Sequence, residues 1–117
     1  MAEYVYILSS QAGAYVGMTN HVFRRFGEHV RGDSPLSCRL LGGYRPSLVN
    51  FWTFPDRLTA SKVERLLWKR FYRQGPAFLL KIARETLDLP EAFVQEALAL
   101  PDIARERKLR ENAAFCF

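Results

Sequence analysis

The apolar positions fall into runs of two different periods. Near the start, residues 5–8 and 15–18 are short runs rich in aromatic and β-branched side chains, with Gln11-Ala12-Gly13 between them. That pattern predicts two antiparallel strands around a turn. Tyr4, Tyr6 and Leu8 alternate with Val5 and Ile7, so both faces of the first strand are apolar. Such a strand is expected at the centre of its sheet. Gly17 interrupts the second strand and marks either a bulge or a close backbone approach. From about residue 21 to 31 the spacing becomes helical. Val22, Phe26 and Val30 form a stripe there, Phe23 and His29 lie at its margins, Thr19 or Asn20 is the expected N-cap, and Gly32 is the stop.

Residues 33–46 hold serines, a Gly-Gly pair and two prolines, and read as a loop. A third strand follows at residues 48–54, closed by Pro55-Asp56. A helix starting at Thr59 or Ser61 carries Val63, Leu66, Leu67 and Phe71 at helical spacing, and Gly75-Pro76 ends it. Residues 77–87 read as a further helix burying Phe78, Leu79, Ile82 and Leu87. Pro90 opens another, with Phe93, Val94, Leu98 and Leu100, and Pro101 a last one reaching Arg110. The predicted class is α/β (α+β). A three-stranded antiparallel sheet is flanked by helices (residues 1–80), and a helical C-terminal extension (residues 81–117) packs on the same domain.

A chain of 117 residues suits one domain with a real core. No apolar run approaches the ~20 residues of a membrane helix. The run at 5–8 is too short for a signal-peptide core and has no basic segment before it. The expectation is a soluble, cytoplasmic protein with no membrane partner. Cys38 and Cys116 make neither a disulfide framework nor a zinc-ligand pair, and a Cys38–His29 nucleophile pair lacks local support. The net charge is +5 and uneven. Residues 1–84 hold thirteen Lys and Arg against five Asp and Glu; residues 85–117 hold four against seven. A basic body favours a polyanion, and the acidic tail does not.

Candidate chemistry sharpens that expectation. Arg25 and His29 sit four apart, on one helix face. With Tyr6 and Tyr15 on the hairpin, they can converge in one local unit. Two phenols, a guanidinium and an imidazole are a set able to work on a phosphodiester. Arg24 lies ~100° further round the helix, so only one of the adjacent arginines easily faces the site. Arg39 and Arg45, in the basic loop, are candidate phosphate-backbone contacts.

The same residues resemble the GIY-YIG endonucleases. Val5-Tyr6-Ile7 stands at the first signature of that family and Tyr15-Val16-Gly17 at the second. Thr19-Asn20, Arg24-Arg25-Phe26 and Glu28-His29 are similar to its small single-domain (URI-type) branch. Arg45-Pro46, and Glu64 with Lys69, fit further on. The resemblance covers roughly residues 3 to 80. It implies a DNA endonuclease holding one Mg²⁺ (or Mn²⁺) on Glu64. Tyr6 is the implied general base, with Tyr15 as its hydrogen-bond partner. Arg25 would take the scissile phosphate, and His29 would relay the proton from Tyr6 or contact phosphate and, when protonated, favour the phenolate. Arg24, Arg39, Arg45 and Lys69 are the expected nucleic-acid contacts. Ser61 to Glu64 reads equally as a helix capping box. One departure is that an Asn many members carry after the Glu helix is absent, where this chain has Gln74-Gly75-Pro76. Two rivals stand beside the enzyme: a non-catalytic nucleic-acid-binding module, and a protein-interaction or homodimer role for residues 85–117.

Overall fold

The computed structural model describes residues 2–85 and 87–101. The chain runs β1 (Glu3–Ser9), β2 (Ala14–Thr19), α1 (Val22–Val30), α2 (Pro35–Leu40), β3 (Ser47–Phe54), α3 (Arg57–Gln74), α4 (Pro76–Glu85) and α5 (Glu91–Leu98). The strands form one antiparallel sheet in the order β2-β1-β3. The α+β architecture and the central place of β1 are as the apolar pattern predicts. Val5, Ile7 and Leu8 are fully buried.

Pairing gives the sheet two distinct faces. Tyr6 lies opposite Gly17 on β2 and Phe51 on β3, so with Tyr4 and Tyr15 these share one face. Val5, Ile7, Val16, Asn50 and Trp52 share the other. On the first face, His29 of α1 meets Tyr6. On the second, Asn50 Nδ2 donates to the Ala83 carbonyl of α4 over 3.0 Å. Val63, Leu66 and Leu67 of α3 join Leu79, Ala83, Phe93 and Ala97 of α4 and α5 in the same core. Among the described residues, no helix is long and apolar enough to cross a membrane.

Several local expectations are corrected. The N-cap of α1 is His21, whose Nδ1 accepts the Arg24 N–H at 3.2 Å. Thr19 Oγ1 instead accepts the His21 N–H, and Asn20 has no capping role. Within α1, Val22 and His29 are buried, while Phe23 and Val30 are exposed. The helix turns its polar His29 inward because a phenol waits there. The segment expected as a loop holds α2, a helix too short to show a period; Pro35 suits its first turn after the Ser34 N-cap. Helix α3 starts earlier than expected, because the Asp56 carboxylate accepts the Thr59 N–H at 2.7 Å. Ser61 is therefore inside the helix, and the Ser61–Glu64 capping box is not made. Leu87 is exposed rather than buried. The helix expected to reach Arg110, and Cys116, lie outside the described residues.

Candidate active site

The site grows from the β1–β2 pair. Tyr6 and Tyr15 project from neighbouring strands onto one face, with ring centroids 6.3 Å apart. Gly17 is what lets Tyr6 lie there: a Cβ on Gly17 would fall 2.2 Å from the Tyr6 ring and hydroxyl. The β1–β2 register is continuous through Gly17, so the glycine marks a close approach and not a bulge.

Helix α1 brings His29 over both rings. Its centroid lies 5.6 Å from Tyr6 and 5.0 Å from Tyr15. The Tyr6 hydroxyl and His29 Nε2 are 2.6 Å apart, in a buried contact. The expected partner of Tyr6 was Tyr15; the observed one is His29, because β2 sets the two phenols side by side while α1 points an imidazole at Tyr6. On the far side of the ring, His29 Nδ1 lies 2.7 Å from Ser37 Oγ, and Ser37 Oγ donates to the Ser34 carbonyl at 3.2 Å.

Burial dominates the electrostatics. It pushes the Tyr6 phenol far above its ordinary range; the neighbouring Tyr15 adds to this, and the Arg25 guanidinium opposes it by charge and hydrogen bonding. Tyr15 is raised too, by burial first and then by the Glu64 carboxylate, against Arg25 and the Ser34 hydroxyl. His29 is driven down to about 4, by burial and then by the Arg25 charge. The expected protonated His29 is thus corrected. The imidazole is neutral at neutral pH, since a buried ring beside a guanidinium does not hold a second proton.

Arg25 is half-exposed, and its Nη1 donates to Glu28 Oε2 at 2.6 Å. That bond and the two phenols raise its pKa against the lowering effect of burial, so the charge is permanent. Glu28 is held low chiefly by Arg25. A phosphate approaching Arg25 therefore competes with Glu28. Glu64, on α3, is buried at 8 % exposure and acts on both phenols by its charge. One turn further along α3, Trp68 packs edge-on against Tyr15 with centroids 5.5 Å apart.

No group of three or more His, Cys, Asp or Glu side chains able to hold a metal occurs among the described residues. A single buried carboxylate suits a hard cation that keeps water and phosphate oxygens as its other ligands. Glu64 beside the phenols fits that requirement.

The GIY-YIG catalytic domain family model matches residues 2–75. The chain belongs to the GIY-YIG family. Membership supports a nuclease-type function, and GIY-YIG nucleases generally use divalent metals. No curated protein and no solved structure matches the chain.

Of the expected DNA contacts, Arg24, Arg39, Arg45 and Lys69 are all solvent-exposed. Arg45 lines a cleft of about 320 Å³ whose wall includes His29, Ser37 and Tyr44. Gln74, the residue nearest the absent Asn, is the exposed last residue of α3. Cys38 does not pair with His29; its thiol faces the Gly32 carbonyl. Sequence reasoning missed Ser34, Ser37 and Glu28 as members of the site. Glu28 carried a signal, since it sits at i+3 from Arg25. Ser37 carried none, because nothing in its neighbours says that α2 folds back on His29.

Proposed function

We propose that this GIY-YIG protein is a metal-dependent endonuclease that hydrolyses phosphodiester bonds in DNA. The observation that carries the reading is the buried 2.6 Å contact between the Tyr6 hydroxyl and His29 Nε2, set beside Arg25 and Glu64. Hydrolysis needs a deprotonated water, neutralisation of charge on the phosphoryl oxygens, and a stabilised leaving alkoxide. A divalent cation such as Mg²⁺ or Mn²⁺, held on Glu64, would supply positive charge to the phosphate and the leaving oxygen.

The remaining work falls to the chain's own groups. Tyr6 is the general base, and its raised pKa defines how it acts. A free phenolate is too costly in this setting. The hydroxyl therefore works as a relay: its oxygen takes a proton from the attacking water while its own proton passes to His29 Nε2. The incoming phosphodiester is an anion, so it offsets Arg25 and raises the basicity of His29. Arg25 leaves Glu28 and takes the scissile phosphate in its planar fork. Tyr15 packs against His29. Arg24, Arg39, Arg45 and Lys69 hold the backbone on either side and make binding salt-dependent.

The helical extension completes the domain in this reading. Its buried Ala83, Phe93 and Ala97 are spent on the chain's own core, and nothing among the described residues supports the dimer alternative. The test is cleavage of single- and double-stranded DNA with Mg²⁺ or Mn²⁺, with Glu64→Ala alongside. Metal-dependent cleavage lost in the variant is the expected result. Equal cleavage by both proteins, or tight metal-independent binding without strand breaks, overturns the assignment.

A further inference from the structure

We propose that Ser37 is a positioning residue that locks His29 in the Nδ1-protonated tautomer, leaving Nε2 as the acceptor facing Tyr6. The catalytic consequence rests on the endonuclease reading; the tautomer itself does not.

Tyr6, His29, Ser37 and the Ser34 carbonyl form one buried chain of hydrogen bonds. Ser37 is 1 % exposed and His29 3 %, so each relies on its protein partners for hydrogen bonding. A serine hydroxyl has one proton. Ser37 gives it to the Ser34 carbonyl, one turn back in α2. Its oxygen can then only accept from His29 Nδ1, at 2.7 Å, so the imidazole proton sits on Nδ1. A neutral ring carries one proton, which leaves Nε2 as a bare lone pair 2.6 Å from the Tyr6 hydroxyl.

The other end of the chain gives the same answer independently. Arg25, whose charge acts on Tyr6, has only donors and cannot accept the phenolic proton. The Tyr6 proton must therefore find an acceptor elsewhere, and Nε2 is that acceptor. Both ends impose one direction: Tyr6 to His29 to Ser37 to the Ser34 carbonyl. In the opposite tautomer, Nε2 would carry the proton and Tyr6 would have nowhere to pass its own. Helix α2 thus contributes to the site through a residue that touches no substrate.

The chain has only two histidines, so ¹⁵N-histidine NMR reads the tautomer directly, with a His21→Asn variant assigning the signals. The wild type should show a protonated Nδ1 and a bare Nε2 on His29. Ser37→Ala should shift the ring to a mixture or to the Nε2-protonated form. It should also lower kcat about 10- to 100-fold with KM little changed, as supporting-residue losses do around other polar sites. Ser37→Thr keeps the hydroxyl and should restore both the NMR signature and most of the turnover. A wild-type His29 protonated on Nε2 overturns the proposal without any variant. So does a Ser37→Ala ring that keeps its tautomer, or one that changes it with unaltered kcat. Absence of cleavage in the wild type strikes the endonuclease reading alone, because the NMR result stands apart from it.

Discussion

The two faces of the sheet bury side chains to different ends. On one, Val5, Ile7 and Val16 are fully buried beside Asn50 and Trp52. Its aliphatic side chains ask for close packing and no partner. On the other, Tyr6 is buried to 1 % exposure and carries a hydroxyl. Burial there is tolerable only if that hydroxyl is paired. The pairing drew in His29, then Ser37, then a backbone carbonyl. The first face is built for stability. The second holds its phenols high and its imidazole low, a state that only surrounding structure can maintain.

Variants on opposite faces should therefore fail in opposite ways. The largest effect is expected from Tyr6→Phe, which keeps the ring and removes the relay. Cleavage should fall by roughly 10²–10⁴-fold in a steady-state assay, with the circular dichroism spectrum unchanged. Ile7→Ala, next to it on the strand but facing the other way, should cost about 2–5 kcal/mol in urea unfolding while turnover per folded molecule stays constant. If the two variants behave alike, the division between faces is wrong.

Gly17→Ala tests the seam between the two behaviours. Its methyl would drive into the Tyr6 ring, so it should both destabilise by about 1–3 kcal/mol and reduce cleavage. A smaller effect is expected from pH. The folded-state pKa of His29, about 4, lies below its ordinary value near 6.5. Between these values the unfolded chain binds more protons than the folded one. His29 therefore leaves stability intact above about pH 6.5 and erodes it as pH falls towards 4, by on the order of 2–3 kcal/mol. Comparing urea midpoints at pH 7 and pH 4.5 for the wild type and His29→Gln checks this; an identical loss in both proteins would place the effect elsewhere. The smallest change should come from Arg39→Ala, which is expected to lower the salt slope of DNA binding by about 1 with little change in kcat.

Helix α1 and the α2 segment show where sequence reasoning reached and where it stopped. The limits of α1 were legible from its period and from Gly32, as were the strands from their alternation and Gly17 from its place in β2. The spacing of Arg25 and His29 was legible too. The depth of His29 was not, because a helical period places a residue at a margin without saying what sits opposite that margin. Asp56 as a cap was missed in favour of residues closer to the apolar stripe. Helix α2 was missed because six residues cannot display a repeat.

By itself the sequence determined a central two-faced strand, a basic body, and a set of phenols, guanidinium, imidazole and carboxylate matching one family. These are properties of composition and short spacing, and they survive without coordinates. Only the tertiary structure decided that His29 is neutral and bonded to Tyr6, that Glu28 occupies Arg25, and that Ser37 closes the proton chain. Each of those depends on desolvation and on contacts between residues 23, 3 and 8 positions apart, brought together by folding. Protonation follows the surroundings of a group, and the surroundings exist only once the chain has folded.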